Sequence, residues 1–226
     1  MGKHLGFFVT GTDTGIGKTF TSVALIRALV ARGFVVAGMK PVASGCRRQK
    51  GVLVSSDAAR LSRVANVTLD PTLVTPYAFG PPVSPHIAAQ KVGVTVRVSR
   101  IATAFKKIQA QSDVTIVEGV GGWFAPINTE ETVADLARTL DIPVILVVGL
   151  RLGALNHALL TAQAIAAQRL QWAGFVINIV DPSMRYLEEN IDTLVGRMPV
   201  PLLGVIPAHT TLSQAARALD LSKLPL

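Results

Sequence analysis

The stretch FFVTGTDTGIGKTFTSVALIRAL, Phe7–Leu29, decides the fold. Apolar and β-branched residues at its start read as a short buried strand, Phe7–Thr10, and its end carries a helical pattern over Lys18–Ala31 with Gly33 as stop signal. Between them lies a glycine-bearing loop that closes in Gly17-Lys18-Thr19. Strand, loop and helix in that order set backbone N–H groups and a helix N-terminus around one anion. The usual phosphate-loop pattern is G-x-x-x-x-G-K-[ST]. Here Thr12 takes the place of its first glycine, and Gly11 stands one position earlier, with five residues between it and Gly17. The spacing predicts a phosphate loop of altered length, with Asp13, Thr14, Gly15, Ile16, Gly17, Lys18, Thr19 and Phe20 around a nucleotide. Lys18 would reach the β- and γ-phosphates and the Thr19 hydroxyl would bind Mg²⁺.

Outward from this stretch, strands and helices alternate. Strands are predicted at Val35–Met39, Val114–Val117, residues 142–149 (IPVILVVG), 174–180 (GFVINIV) and 201–206 (PLLGVI). Helices are predicted at Ser56–Val64, Ile101–Gln111, Val133–Leu140, Leu155–Gln168, Tyr186–Val195 and Leu212–Leu219. Apolar runs without alternation are strands covered on both faces, and their alternation with helices predicts a mostly parallel sheet in an α/β fold of the P-loop NTPase type. Ligands of such sheets sit beyond the carboxyl ends of the strands. Five loops there carry chemistry: the one after Thr10, KPVASG after Met39, EGVGG after Val117, GLRLGALNH after Val148, and Asn178. Residues 66–98, with seven prolines and glycines, are the least regular segment. No repeat or linker interrupts the pattern, so one domain over residues 1–226 is expected.

The totals agree with that reading. Half of the 226 residues are hydrophobic and 16% are charged, which suits a compact domain with a large aliphatic core. A single cysteine, Cys46, excludes an internal disulfide framework and fits a reducing compartment; beside Arg47 and Arg48 it reads as an incidental surface thiol. The net charge of +8 comes from scattered basic residues without aromatic interleaving, so a nucleic-acid interface is not expected. The start, MGKHLGFFVTG, has the pattern of neither a signal peptide nor a myristoylation site, and no stretch is long and apolar enough for a membrane span. A cytoplasmic protein is expected.

Around the phosphate loop, Glu118 directly follows an apolar run, where a metal-side acid belongs. Asp57, in SSDAAR, is either a metal ligand or the N-cap of its helix. Lys40, after a buried strand and before Pro41, is either solvated at the sheet edge or aimed into the site. Three glycines in EGVGG permit close backbone approach. Asp181 before Pro182 reads as a turn, with recognition of a guanine edge as the alternative.

Taken together, VTGTDTGIGKT, KPVASG, SSDAARL, VSPHIAA, VEGVGGWFAPI, PVILVVGLRLGALNHALLT and PLLGVIP resemble the dethiobiotin synthetases, in order and over nearly the whole chain. The resemblance implies ATP-dependent, Mg²⁺-assisted formation of dethiobiotin from 7,8-diaminopelargonate and CO₂. A carbamate attacks the γ-phosphate, and the second amine then closes the ureido ring and expels phosphate. It further implies that Thr19, Asp57 and Glu118 hold the metal, and that Thr14, Lys18, Lys40 and Ser44 contact phosphate, carbamate and diamine. Gly121 would line the substrate site. Asn178 and Pro207 would flank the purine. A homodimer is implied, with Gly153 and Asn156 of the opposite subunit offering a helix N-terminus to the substrate carboxylate. Two departures stand out: Gly15 replaces an acidic residue of better-known members, and Asn190 aligns with a substrate-contacting tyrosine, Tyr186 lying one turn earlier. The rival reading is a partition- or septum-positioning ATPase, but the second lysine of those loops is here Asp13.

Overall fold

The computed structural model describes residues 4–226; the first three residues of the segment read above as free of a targeting signal lie outside the described part. The elements are β1 (Leu5–Gly11), α1 (Lys18–Val30), β2 (Val36–Met39), β3 (Val42–Ala43), β4 (Arg47–Gln49), β5 (Val52–Val54), α2 (Ser56–Val64), α3 (Pro71–Val74) and β6 (Tyr77–Ala78). They continue with α4 (Pro85–Gln90), α5 (Val98–Gln109), β7 (Val114–Glu118), α6 (Val133–Leu140), β8 (Val144–Leu150), α7 (Ala154–Ala167), β9 (Trp172–Ile179), α8 (Leu187–Arg197), β10 (Leu202–Ile206), α9 (Leu212–Arg217) and a 3₁₀ turn at Leu221–Lys223.

Six strands form the central sheet in the order β10-β9-β8-β1-β7-β2, and all of its pairings are parallel. Side chains of a strand alternate between faces. Phe7 and Val9 accordingly enter one apolar cluster with residues of α1 and α9, and Phe8 enters the other with residues of α5, α6 and α7. Both faces of the sheet are thus covered by helices, which is why the strands read as unbroken apolar runs. Among the described residues, no helix is long and apolar enough to cross a membrane.

The segment between β2 and α5 departs most from the sequence reading. It holds the two-residue pairing β3–β6, the antiparallel hairpin β4–β5, and the short helices α3 and α4. The hairpin turns at Lys50 and Gly51, both with positive φ (48° and 84°), as a primed two-residue turn requires. Strands this short carry no periodic signal, so they went unread. Cys46 is corrected as well: it is buried rather than on the surface, because its N–H donates to the Phe79 carbonyl beside the β3–β6 pair. Burial pushes its thiol pKa up, which makes it less reactive. Tyr186 lies outside α8, as its N-cap in a left-handed conformation.

One contact fixes where α2 sits. A Cβ on Gly38 of β2 would come 2.8 Å from the Leu61 Cβ of α2, and Leu61 is fully buried. Gly38→Ala should therefore destabilise the protein by about 1–3 kcal/mol through overpacking. Gly196→Ala, in α8 with nothing within 4 Å of the new Cβ, should be neutral or stabilising by up to ~1 kcal/mol. Urea midpoints at unchanged m-value compare the two, and equal midpoints would refute the tight β2–α2 seat.

Candidate active site

The phosphate loop leaves β1 at Gly11 and enters α1 at Lys18. Gly17 is the N-cap, in a left-handed conformation (φ 93°), and it has no side chain with which to cap the helix. No acidic residue stands in the first turn. The N–H groups at this helix end are left for an anion, and the helix dipole favours negative charge there. Lys18 is buried, and its ammonium donates to the Asp13 carbonyl across the loop. Burial, followed by the charge of Lys40, pushes its pKa down to about 8.

The loop itself is held from three sides. Ile16, expected around the nucleotide, has a buried side chain wedged against Gly11 and Gly149, so only its backbone is available to a ligand. Asn178 Nδ2, at the end of β9, donates to the Ile16 carbonyl at 2.9 Å. A Cβ on Gly17 would lie 2.2 Å from that nitrogen, so the motif glycine is demanded both by its φ and by Asn178. On another side, a Cβ on Gly122 would stand 3.5 Å from the carbonyls of Gly11 and Thr12. The EGVGG loop thus lies in ordinary contact with the phosphate-loop backbone. The third contact was not anticipated: Arg151, after β8, donates to Asp13 Oδ2 at 2.9 Å. Arg151 stood in plain view within GLRLGALNH, but nothing local pairs residues 138 positions apart.

Beside the loop is a buried polar cluster. Glu118 ends β7 and is almost inaccessible. Its Oε1 accepts from Thr19 Oγ1 at 2.7 Å and from Lys40 Nζ at 2.6 Å. Lys40 Nζ also donates to the Gly119 carbonyl at 3.0 Å and pairs with Asp57 Oδ2 at 3.2 Å. Lys40 is thus aimed into the site. Burial opposes its charge, but Glu118 and then Asp57 outweigh that, so its pKa is raised. Asp57 is not the helix cap: Ser55 is, accepting from the Ala58 N–H at 3.3 Å. Helix capping therefore does not account for the Asp57 carboxylate.

The donor set suits Mg²⁺. Glu118 Oε2 is buried without a hydrogen-bond partner, an orphaned anionic oxygen. Two carboxylates and a hydroxyl beside a phosphate loop are the hard oxygens that Mg²⁺ takes, with phosphate and water filling the rest. Among the described residues no group of three or more His, Cys, Asp or Glu side chains could hold a metal ion.

The remaining candidates line the same edge less tightly. Ser44 is half-buried after β3, and Thr14 and Gly15 are exposed at the loop tip. Phe20 packs partly on the α1 cluster, so its side chain belongs to the core side. A Cβ on Gly121 would stand 3.9 Å from Thr14 Oγ1. Pro207 follows Ile206, whose register partner is Asn178. Gly153, with φ 89°, caps α7 without a side-chain bond, and Asn156 is exposed on its first turn. Asp181 Oδ1 accepts from the Ser183 N–H and hydroxyl at 3.0 and 2.6 Å, so its carboxylate closes a turn. Asn190 Nδ2 bonds back to the Tyr186 carbonyl at 2.7 Å, while the Tyr186 ring is exposed.

Comparison with known proteins shows the family and the fold. A family model described as an AAA domain matches residues 5–216. Among solved structures, a ParA family ATPase from Chlorobium tepidum superposes with a TM-score of 0.56 at 16% identity, over 98% of this chain and 92% of its own. The MinD cell division protein of Aquifex aeolicus gives 0.56 at 14% identity, over 96% and 88%. These likenesses establish the fold alone. In sequence, the ATP-dependent dethiobiotin synthetase BioD of Xanthomonas oryzae pv. oryzae is 50% identical over 212 residues, 94% of this chain and 95% of its own. The protein of that name from Pseudomonas aeruginosa is 46% identical over 97% of both chains. At that identity and coverage, the chain belongs to the ATP-dependent dethiobiotin synthetase family.

Proposed function

We propose that this protein makes dethiobiotin from 7,8-diaminopelargonate, CO₂ and ATP, releasing ADP and phosphate, as a cytoplasmic homodimeric enzyme. The observation that carries the reading is the meeting of Lys18, Thr19, Lys40, Asp57 and Glu118 at the carboxyl ends of neighbouring strands. That set belongs to phosphoryl transfer, and the family supplies the substrate.

In this reading the triphosphate lies along the N–H groups from Asp13 to Phe20. Lys18 gives up the Asp13 carbonyl for the β- and γ-phosphates. Thr19, Asp57 and Glu118 would hold Mg²⁺, which would supply charge neutralisation for the transferring group. One amine of the substrate adds to CO₂ and loses a proton. A carbamate oxygen then attacks the γ-phosphorus while the bond to the ADP oxygen breaks. The second amine attacks the carbamate carbon and the phosphate leaves with the bonding pair. Lys40 and Ser44 orient the carbamate, and no covalent nucleophile is needed. Catalysis is positioning and charge neutralisation. Asn178 and Pro207 flank the purine, and Gly121 lines the diamine site.

The second subunit supplies the uncapped α7 end at Gly153 and Asn156 to the substrate carboxylate. Leu152, 90% exposed, and Leu160 leave apolar surface on that loop and helix for a partner to cover.

The reaction is tested by mass-spectrometric detection of dethiobiotin from diaminopelargonate, bicarbonate, ATP and Mg²⁺. Lys40→Ala should cut turnover roughly 10²–10⁴-fold, whereas Lys106→Ala, on the exposed face of α5, should change it little. Near-normal turnover in Lys40→Ala would remove Lys40 from the site.

Asp57→Asn should raise the Mg²⁺ needed for half-maximal turnover at least about tenfold, with an almost unchanged melting midpoint because Ser55 caps α2. A large drop in midpoint at normal Mg²⁺ dependence would make Asp57 a structural residue.

Lys18 acts as the ammonium ion, and in the free protein burial lowers its pKa to about 8. Above that pH the charge is lost, so kcat/KM for ATP should fall as pH rises through it. In the complex the phosphates favour the charged form, and kcat should stay level to higher pH. A kcat/KM with no fall above that pH would contradict the role of Lys18.

A further inference from the structure

Away from the reaction centre, a cavity of about 740 Å³ opens between the β4–β5 hairpin and helices α2 and α3. It falls within the size range of small-molecule sites. Its lining is aliphatic at Leu53, Leu69, Val74 and Pro76 and carries hydroxyls on the α2 and α3 side, among them Ser55 and Thr72. Two arginines line the cavity, Arg48 and Arg100, and no Asp or Glu does. Arg48 stands directly across the hairpin from Leu53, so both side chains share one face. Arg100 lies over the Tyr77 ring, 5.0 Å from its centroid; Tyr77 itself lies outside the lining of this cavity. Neither arginine pairs with a carboxylate among the described residues.

Arg48 Nη1 donates to the Gly51 carbonyl at 2.7 Å, which leaves its remaining N–H groups for a ligand. A largely aliphatic cavity edged by two guanidinium groups and no acid selects a ligand that is apolar along its length and anionic at one end. We propose that this cavity binds a medium-chain aliphatic carboxylate, with the chain against the Val52–Val54 strand and the carboxylate neutralised by Arg48 and Arg100. Such a ligand would lie on Ala58 and Ala59 of α2, next in sequence to Asp57. The site is separate from the phosphate loop and does not depend on the proposed reaction.

The test is titration calorimetry on the whole protein with octanoate as probe, and with octan-1-ol and acetate as comparators. Octanoate should bind saturably at one site per chain. Octan-1-ol should bind at least about tenfold more weakly for want of a charge-assisted contact, and acetate should not saturate. The double variant Arg48→Gln/Arg100→Gln should weaken octanoate by about tenfold or more, and Leu53→Asp should abolish its binding. Circular dichroism checks that the variants fold; if the double variant does not, Arg48→Gln alone carries the test, since Arg48 is exposed. Octanoate binding unchanged in these variants, octan-1-ol binding as tightly as octanoate, or an absence of saturable heat would each overturn the proposal.

Discussion

The Glu118 carboxylate is the point on which the site rests. One of its oxygens accepts from Lys40 and from Thr19, and the group is almost wholly shielded from water. Burying two opposite charges costs several kcal/mol per ion, and their attraction repays this only with good geometry and further hydrogen bonds. The further bonds are present, from Lys40 to the Gly119 carbonyl and to Asp57. Such a cluster is weak evidence for stability. Its value lies in fixing four chain segments, the ends of β7 and β2 and the first turns of α1 and α2, around one point.

Sheet order makes this possible. Strand β7 lies between β1 and β2, so a residue at its carboxyl end faces the loop after β1 on one side and the residue after β2 on the other. Parallel strands all point their carboxyl ends the same way, and the loops that follow must meet there. On the far side of β1, β8 and β9 bring Arg151 and Asn178 back onto the same phosphate loop. The loop is braced by contacts from both halves of the sheet, and within it the Thr14 N–H donates to Asp13 Oδ1 at 2.7 Å.

The fold is shared with a ParA family ATPase and a MinD cell division protein. In this chain Asp13 of the phosphate loop is paired with Arg151 after β8. The common scaffold constrains where the phosphates go, while the residues beyond the strand ends differentiate the chemistry.

Most of this was legible along the chain because it depends on local order. Strand, loop, Gly17-Lys18-Thr19 and helix are contiguous, and apolar runs between helical segments dictate a parallel sheet. The position of Glu118 beside the phosphate loop could be read because it stands at the end of a buried strand. Other features had no local signal. The hairpin β4–β5 and the β3–β6 pair are too short for periodicity to register. Cys46 looked exposed beside two arginines, yet a bond to Phe79, distant in sequence, draws it inside. Lys40 and Asp57 each had two readings of equal local merit. Only packing brought Lys40 onto Glu118, and only backbone geometry gave the cap to Ser55 and left Asp57 free to face Lys40. By itself, then, the sequence determined the order of elements and the kind of chemistry, since both follow from neighbouring residues. Tertiary structure decided the partner of each charged group, because that depends on which strands lie side by side.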